Sequence, residues 1–202
     1  MIRGFLFDYD GVMTKNNNAN TPPSEKLADL LHLSVDEAAP LFIALWPDYL
    51  RGKITDEALW HSIEEQTGQA IPVAQRDIWS KWEQLKPLPE MQALITTLQQ
   101  EGYPVGLLTN VTPTTEQEVS EGGGYDGFDF RIKSCEVGYA KPDPEIYTIA
   151  LEHFKGLSPK EIAYIDDRER LLVPARALGM TAILSTSSEQ VVTDVMSLLG
   201  QR

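Results

Sequence analysis

The chain has 202 residues, of which 42% are hydrophobic and 23% are charged, and these values exclude a disordered or fibrous protein. Thirty acidic and 17 basic side chains give a formal net charge of −13, so we expect neither nucleic acid nor an anionic membrane surface as a partner. The single cysteine, Cys135, cannot form an internal disulfide, and no apolar run has the length of a signal-peptide core or a membrane span, which together predict a cytoplasmic protein.

The first predicted strand, residues 2–7, runs into the acidic turn Asp8-Tyr9-Asp10-Gly11. Side chains alternate along a strand, so Asp8 and Asp10 can address one point only near its end, where Gly11 lets the chain turn. Two carboxylates held that close favour a cation, and oxygen ligands suit Mg²⁺. The tetrapeptide alone fits an acidic turn without a ligand equally well.

The next segment reads as a polar linker over residues 15–23, followed by helices through residues 24–85. Apolar positions recur there at three- and four-residue spacing, and Ser34 and Glu37 have the spacing of a capping box. All four tryptophans fall in this segment, which predicts a small helical unit whose own core the rings fill. They are Trp46, Trp60, Trp79 and Trp82.

A different pattern begins after Pro87 and Pro89, where strands alternate with helices. We predict strands at residues 105–108, 132–134, 162–165 and 181–184, and helices at residues 90–101, after Thr112-Pro113, and at residues 145–154 and 169–178, with a short helical turn from Ser158. Such alternation predicts an α/β fold with a parallel sheet, and these sheets bind ligands at the carboxyl ends of their strands.

That rule places several polar side chains on one rim of the sheet. They are Asp8 and Asp10 after the first strand, Thr109 after the second, Asp166 and Asp167 after a later strand, and Lys141 before a helix. Together they could perform phosphoryl transfer. One aspartate can attack phosphorus while another moves protons, and Mg²⁺, the lysine and the threonine hydroxyl can offset the phosphoryl charge.

These clusters resemble, in order, the four motifs of the haloacid dehalogenase (HAD) superfamily, and the resemblance covers essentially the whole chain. The matching segments are Asp8-Tyr9-Asp10-Gly11-Val12, Leu107-Leu108-Thr109-Asn110, Lys141-Pro142-Asp143-Pro144-Glu145-Ile146-Tyr147 and Tyr164-Ile165-Asp166-Asp167. The resemblance implies a Rossmann-like parallel sheet core with a small all-helical cap domain. Residues 1–15 and 88–202 would form the core, and residues 16–87 the cap.

The resemblance also implies roles for the core residues. Asp8 would be the nucleophile and a metal ligand, and Asp10 the general acid/base and a metal ligand through its carbonyl. Thr109 and Lys141 would stabilise the phosphate, and Asp166 and Asp167 would hold Mg²⁺. Asn110 would help to orient the phosphoryl group, chiefly through its backbone. One departure is Leu171, where many members carry asparagine.

For the cap, the resemblance suggests substrate contacts from Trp46, Tyr49, Arg51 and Lys53. The alternative for these residues is a solvated helix face with buried aromatic rings.

Asp10 selects among the chemistries of the superfamily, because halide-removing members lack this second aspartate. We therefore expect a Mg²⁺-dependent phosphatase acting on a small phosphorylated metabolite, sugar phosphates foremost, through an aspartyl-phosphate intermediate. A sugar phosphomutase and a non-catalytic phosphate-binding regulatory module remain alternatives. Phosphonate cleavage would need a cap lysine such as Lys53 to form a Schiff base. The sequence predicts no particular oligomeric state.

Overall fold

A computed structural model describes residues 1–15, 23–76, 78 and 85–199. Five parallel strands form one sheet in the order β3-β2-β1-β4-β5. The strands are β1 Gly4–Phe7, β2 Val105–Thr109, β3 Phe130–Lys133, β4 Ile162–Asp166 and β5 Thr181–Leu184. The predicted α/β class with a parallel sheet is thereby confirmed.

The helices cover both the inserted segment and the two faces of the sheet. Those of the insert are α1 Pro23–Leu31, α2 Val35–Leu50 and α3 Asp56–Thr67; those after it are α4 Pro89–Gln100, α5 Pro113–Glu121, α6 Ser134–Val137, α7 Pro144–His153, α8 Glu169–Ala177 and α9 Ser188–Leu199. Short 3₁₀ turns span Val73–Gln75 and Pro159–Glu161. The last helix, α9, was not among the predicted elements.

The third strand is the element whose predicted bounds differ most from the structure. It begins at Phe130 because Phe130 pairs with Gly106 of β2, and it ends before Ser134, which starts α6. A side chain at position 106 would collide with Phe130, since an added Cβ would lie 2.2 Å from Cζ of that ring. Glycine there allows the aromatic side chain to cover the sheet.

The central strands are buried on both faces, as continuous apolar runs in parallel sheets require. Phe5 and Phe7 of β1 face one apolar cluster, together with buried side chains from α4 and α9. Leu6 faces the other cluster, with side chains from α7 and α8. This alternation fixes the sheet rigidly between two helical layers and so fixes the positions of the residues at its carboxyl edge.

Among the described residues, the inserted helices have an apolar cluster whose members all lie within residues 27–78, which supports the proposal that residues 16–87 form a cap. Trp60 is buried in that cluster and Trp46 packs against it. The predicted capping box of α2 is present, with Ser34 N donating to Glu37 Oε2 at 2.9 Å. Trp79, Trp82 and most of the predicted linker lie outside the described residues.

Candidate active site

Three predicted site residues meet at the carboxyl edge of the sheet. Asp8 directly follows β1, Thr109 ends β2 and Asp166 ends β4. These strands are neighbours, with β1 between β2 and β4. The backbone N–H of Asp8 donates to Ile165 O at 2.9 Å, so the acidic turn is anchored to β4 immediately before Asp166. The sheet therefore positions all three side chains through backbone pairing.

Lys141 lies between two of these carboxylates. Its Nζ is 2.7 Å from Asp8 Oδ1 and 2.8 Å from Asp166 Oδ2, and it donates to the Tyr164 hydroxyl at 3.1 Å. Lys141 is only 4% exposed. Burial alone would lower the pKa of Lys141, but Asp8 and Asp166 raise it above its ordinary value. The lysine is therefore a fixed positive charge at the centre of the site.

Burial has the opposite effect on the carboxyl groups. It raises the pKa of Asp8 to about 7, with Lys141 acting against this shift and Asp166 adding to it. Burial likewise raises the pKa of Asp167. Both shifts express the cost of holding several negative charges in one desolvated place, and a bound cation would relieve that cost.

Asn110 fixes the backbone of Lys141. Its Nδ2 donates to Lys141 O at 2.8 Å, and Lys141 N donates to Asn110 Oδ1 at 2.7 Å. The side-chain amide thus makes two hydrogen bonds to the Lys141 backbone, which sequence reasoning did not anticipate. The predicted contact of Asn110 with the phosphoryl group through its backbone stays a prediction.

Tyr164 belongs to the site, although the sequence analysis did not predict a role for it. Its hydroxyl donates to Asp166 Oδ2, and Arg168 N donates to Asp166 Oδ1 at 2.9 Å. Both oxygens of Asp166 are thereby oriented. The available signal was spacing, because residues two apart on a strand share one face of the sheet.

Asp10 is held by the turn that follows it. Thr14 Oγ1 donates to Asp10 Oδ1 at 3.0 Å and accepts from Gly11 N at 3.2 Å. Gly11 has a φ of 87°, a left-handed conformation that glycine adopts without strain. Asp10 is half-buried and lines the cavity next to the site, whereas Asp8 is almost fully buried. The two aspartates therefore have different surroundings, as two different roles require.

The residues present fit a magnesium ion. Carboxylate oxygens of Asp8, Asp166 and Asp167 all lie within 4.8 Å of one another. This is an all-oxygen donor set, which suits Mg²⁺ better than softer metals. The predicted fourth ligand, the backbone carbonyl of Asp10, is not part of this side-chain cluster and stays a prediction.

A cavity of about 360 Å³ lies beside Asp10 and Lys141 and is lined from both the core and the inserted helices. Thr109, Asn110 and Lys141 contribute from the core. Four further cationic side chains also line it, namely Lys26, Arg51, Arg168 and Arg170. Arg51 is paired with Asp143, whereas Arg168 and Arg170 are exposed, and their positive charge favours an anionic ligand in a chain of net charge −13.

The four cap residues predicted to contact substrate are placed differently. Trp46 and Arg51 line the cavity, although the Arg51 guanidinium binds Asp143 in bidentate fashion at 2.8 to 3.0 Å. Tyr49 is buried, and its hydroxyl bonds Asp56 and Thr114. Lys53 is exposed and lies 3.5 Å from a surface aspartate. The structure does not bring Tyr49 or Lys53 to the cavity, so their substrate contacts stay predictions.

Comparison with known proteins bears on the whole chain. A family model described as haloacid dehalogenase-like hydrolase matches residues 2–179. A HAD-family enzyme from Bacteroides thetaiotaomicron has the same fold, with a TM-score of 0.79 and 24% identity over 100% of this chain and 99% of that one. The wild-type form of that enzyme has also been solved in complex with magnesium and inorganic phosphate.

Curated relatives differ in how much of their length this chain spans. The sesquiterpene phosphatase of Aspergillus oryzae is 28% identical over 98% of this chain and 97% of its own length. The bifunctional epoxide hydrolase 2 of Sus scrofa is 34% identical over 55% of this chain, and the match covers 21% of that protein. The chain thus spans about a fifth of the longer relative.

No helix in the described parts of the chain is both long and apolar enough to cross a membrane. The family match over residues 2–179 confirms the resemblance seen in the four motifs. The chain belongs to the haloacid dehalogenase-like hydrolases.

Proposed function

We propose that the protein is a Mg²⁺-dependent phosphatase that hydrolyses a small phosphorylated metabolite through an aspartyl-phosphate intermediate. The observation that carries this proposal is the position of Lys141 Nζ, 2.7 Å from Asp8 Oδ1 and 2.8 Å from Asp166 Oδ2, beside a cavity with cationic lining. The near end-to-end similarity to a protein named as a phosphatase supports it.

Asp8 is the nucleophile in this proposal. One of its carboxylate oxygens attacks phosphorus, the bond between phosphorus and the ester oxygen breaks, and an acyl phosphate forms on Asp8. Asp10, at the cavity wall, gives its proton to the leaving oxygen of the alcohol. In the second half-reaction Asp10 takes a proton from a water whose oxygen attacks phosphorus. The bond from phosphorus to Asp8 breaks, and inorganic phosphate leaves.

The remaining groups hold charge in place. Lys141 and the Thr109 hydroxyl stabilise the negative oxygens of the phosphoryl group, and Asn110 fixes the Lys141 backbone. Asp8, Asp166 and Asp167 would hold Mg²⁺, which when bound neutralises charge on the phosphoryl oxygens. Thr14 orients the Asp10 carboxyl group toward its proton transfers.

Steady-state hydrolysis tests this function. Purified protein should release phosphate from p-nitrophenyl phosphate when Mg²⁺ is present and lose that activity on chelation. The Asp8→Asn variant keeps the size of the side chain but removes the nucleophile, so its activity should fall to background while its melting temperature shows that it is folded. Wild-type rates in Asp8→Asn with Mg²⁺ present would disprove the covalent route.

Two finer expectations from the sequence also stay proposals. A sugar phosphomutase would use the same core residues, and phosphate release to water in the assay above distinguishes hydrolysis from transfer to a second hydroxyl. A cytoplasmic location is supported by the single cysteine, Cys135, which cannot form an internal disulfide.

A further inference from the structure

The cavity beside the site is lined by two chemically different sets of side chains. One set is polar and includes Asp10, Thr109 and Lys141, which we assign to the phosphate group. The other is apolar and comes from both the inserted helices and the core. Its side chains include Trp46, Leu50, Val111, Val119 and Tyr125. Val119 and Tyr125 are fully buried members of the main apolar cluster, so this wall is a rigid part of the core.

Among the described uncharged polar side chains of the lining, the Tyr125 hydroxyl is buried without a hydrogen-bond partner, whereas several others make their hydrogen bonds within the protein. Thr112 Oγ1 donates to Thr115 Oγ1 at 2.9 Å and accepts from Thr115 N at 3.3 Å, which caps α5. The amide of Asn110 is closed on the Lys141 backbone. These threonine and asparagine side chains therefore have partners before any substrate enters.

The charged side chains of the lining bind an anionic phosphate group more strongly than neutral hydroxyl groups. Arg51 uses three of its nitrogens on Asp143 and the Pro47 carbonyl. Arg168 and Arg170 are exposed. Their positive charge favours approach of a phosphate group to this acidic protein.

A polyhydroxylated alcohol would meet this wall at a cost. The Tyr125 hydroxyl can pair with one substrate hydroxyl, but a sugar carries several. Each further hydroxyl that leaves water without finding a partner loses a hydrogen bond, which makes a mainly apolar wall a poor site for a sugar. A hydrocarbon group of the same shape gains free energy from the same contacts. The lining therefore discriminates by polarity of the alcohol.

We infer that the substrate is the phosphate monoester of an apolar alcohol, an inference that rests on the proposed phosphatase function. At about 30 Å³ for each water-sized group, a cavity of about 360 Å³ holds roughly a dozen non-hydrogen atoms. That is a phosphate group with one hydrocarbon ring or a short branched chain. This class replaces sugar phosphates as the first choice of substrate.

An isosteric pair of esters tests the inference. 2-Methylbutyl phosphate is glycerol 3-phosphate with both free hydroxyls replaced by methyl groups, so the two differ in polarity and not in shape. With Mg²⁺, kcat/KM should be about tenfold or more higher for 2-methylbutyl phosphate.

Variants of α2 then test which side chains cause the preference for the apolar ester. Trp46→Ala and Leu50→Ala should each reduce the ratio of kcat/KM between the apolar and polar esters, and having two variants covers the case in which one fails to fold. Ile43→Ala is the control, because Ile43 is on the same helix, is 68% exposed and does not line the cavity. Its ratio should equal that of the wild type.

The outcomes separate the two claims. If glycerol 3-phosphate is hydrolysed as efficiently as 2-methylbutyl phosphate, the inference is wrong and the phosphatase function stands. An unchanged ratio in folded Trp46→Ala and Leu50→Ala would also overturn it. If no ester is hydrolysed, including p-nitrophenyl phosphate and acetyl phosphate, the proposed function itself fails.

Discussion

Arg51 and Asp143 join the inserted helices to the core through a bidentate ion pair. Arg51 Nη2 lies 2.8 Å from Asp143 Oδ2, and Nε lies 3.0 Å from the same oxygen. Asp143 comes two residues after Lys141, and its Oδ2 also accepts from Ala140 N at 3.1 Å. Gly52, the residue after Arg51, has a φ of 64°, and a Cβ added there would lie 2.0 Å from Cys135 O. The loop that carries the central lysine is thus held from the cap side.

Weakening this ion pair should reduce catalysis. Lysine in place of Arg51 keeps the charge but cannot form the two parallel hydrogen bonds. We expect Arg51→Lys to lower kcat/KM about tenfold, on the scale of one lost charged hydrogen bond. Arg76→Lys is the matched control, because Arg76 pairs with Glu64 inside the helical segment at 2.9 Å and should leave kcat/KM unchanged. Equal losses in both variants would show that the effect is general destabilisation.

Among the residues of the site, we expect Lys141 to make the largest electrostatic contribution to kcat. Lys141→Met removes the positive charge between Asp8 and Asp166, so kcat should fall by about 10² to 10³. Removing one partner of a buried ion pair also destabilises the fold, and the melting temperature without metal should drop. Mg²⁺ should raise that temperature more in the variant than in the wild type, because a cation replaces the missing charge. A variant with normal kcat would refute the assignment.

Asn110 is a positioning residue, since it acts through Lys141. Asn110→Ala removes both hydrogen bonds to the Lys141 backbone, at 2.7 and 2.8 Å. We expect kcat to fall about tenfold, with a much smaller change in KM, because the loss affects the charge on the reacting group. A rise in KM at constant kcat would instead show that Asn110 serves substrate binding alone.

Glu161 links stability to pH away from the site. Hydrogen bonds from the backbone and side chain of Ser158, and then Arg3, lower the pKa of Glu161 to about 2. Because the folded pKa lies below the unfolded one, this contribution to stability is present above pH 4.5 and is lost as pH falls toward 2. Glu161→Gln should therefore melt below the wild type at pH 7, and the gap should close in acid. A gap of constant size would contradict this account.

The sheet and the polar residues at its carboxyl edge could be predicted from the sequence for local reasons. Uninterrupted apolar runs at β1, β2 and β4 predict buried strands. Acidic residues at the ends of β1 and β4 predict a cation site. The start of β3 could not be predicted, because Phe130 is drawn into the strand by its pairing with Gly106. That pairing is a tertiary interaction with no local signal.

The supporting contacts of the site were beyond the sequence for the same reason. The Asn110 and Lys141 partners are 31 positions apart, and the Arg51 and Asp143 partners are 92 positions apart. The residues next to these side chains in the sequence do not specify such distant partners. The polarity of the cavity wall likewise depends on side chains brought together from distant helices, which is why sugar phosphates were the first expectation.

The most direct test of the central claim is detection of the phosphorylated enzyme. Asp10→Asn should still be phosphorylated on Asp8 by an activated ester such as p-nitrophenyl phosphate, but it lacks the base for the second half-reaction. Acid-quenched mass spectrometry of this variant should show one phosphoryl group on the peptide that contains Asp8, and none in the Asp8→Asn, Asp10→Asn double variant. Hydrolysis by the wild type with no phosphoryl group on Asp8 in Asp10→Asn, or with the group on another residue, would contradict the account.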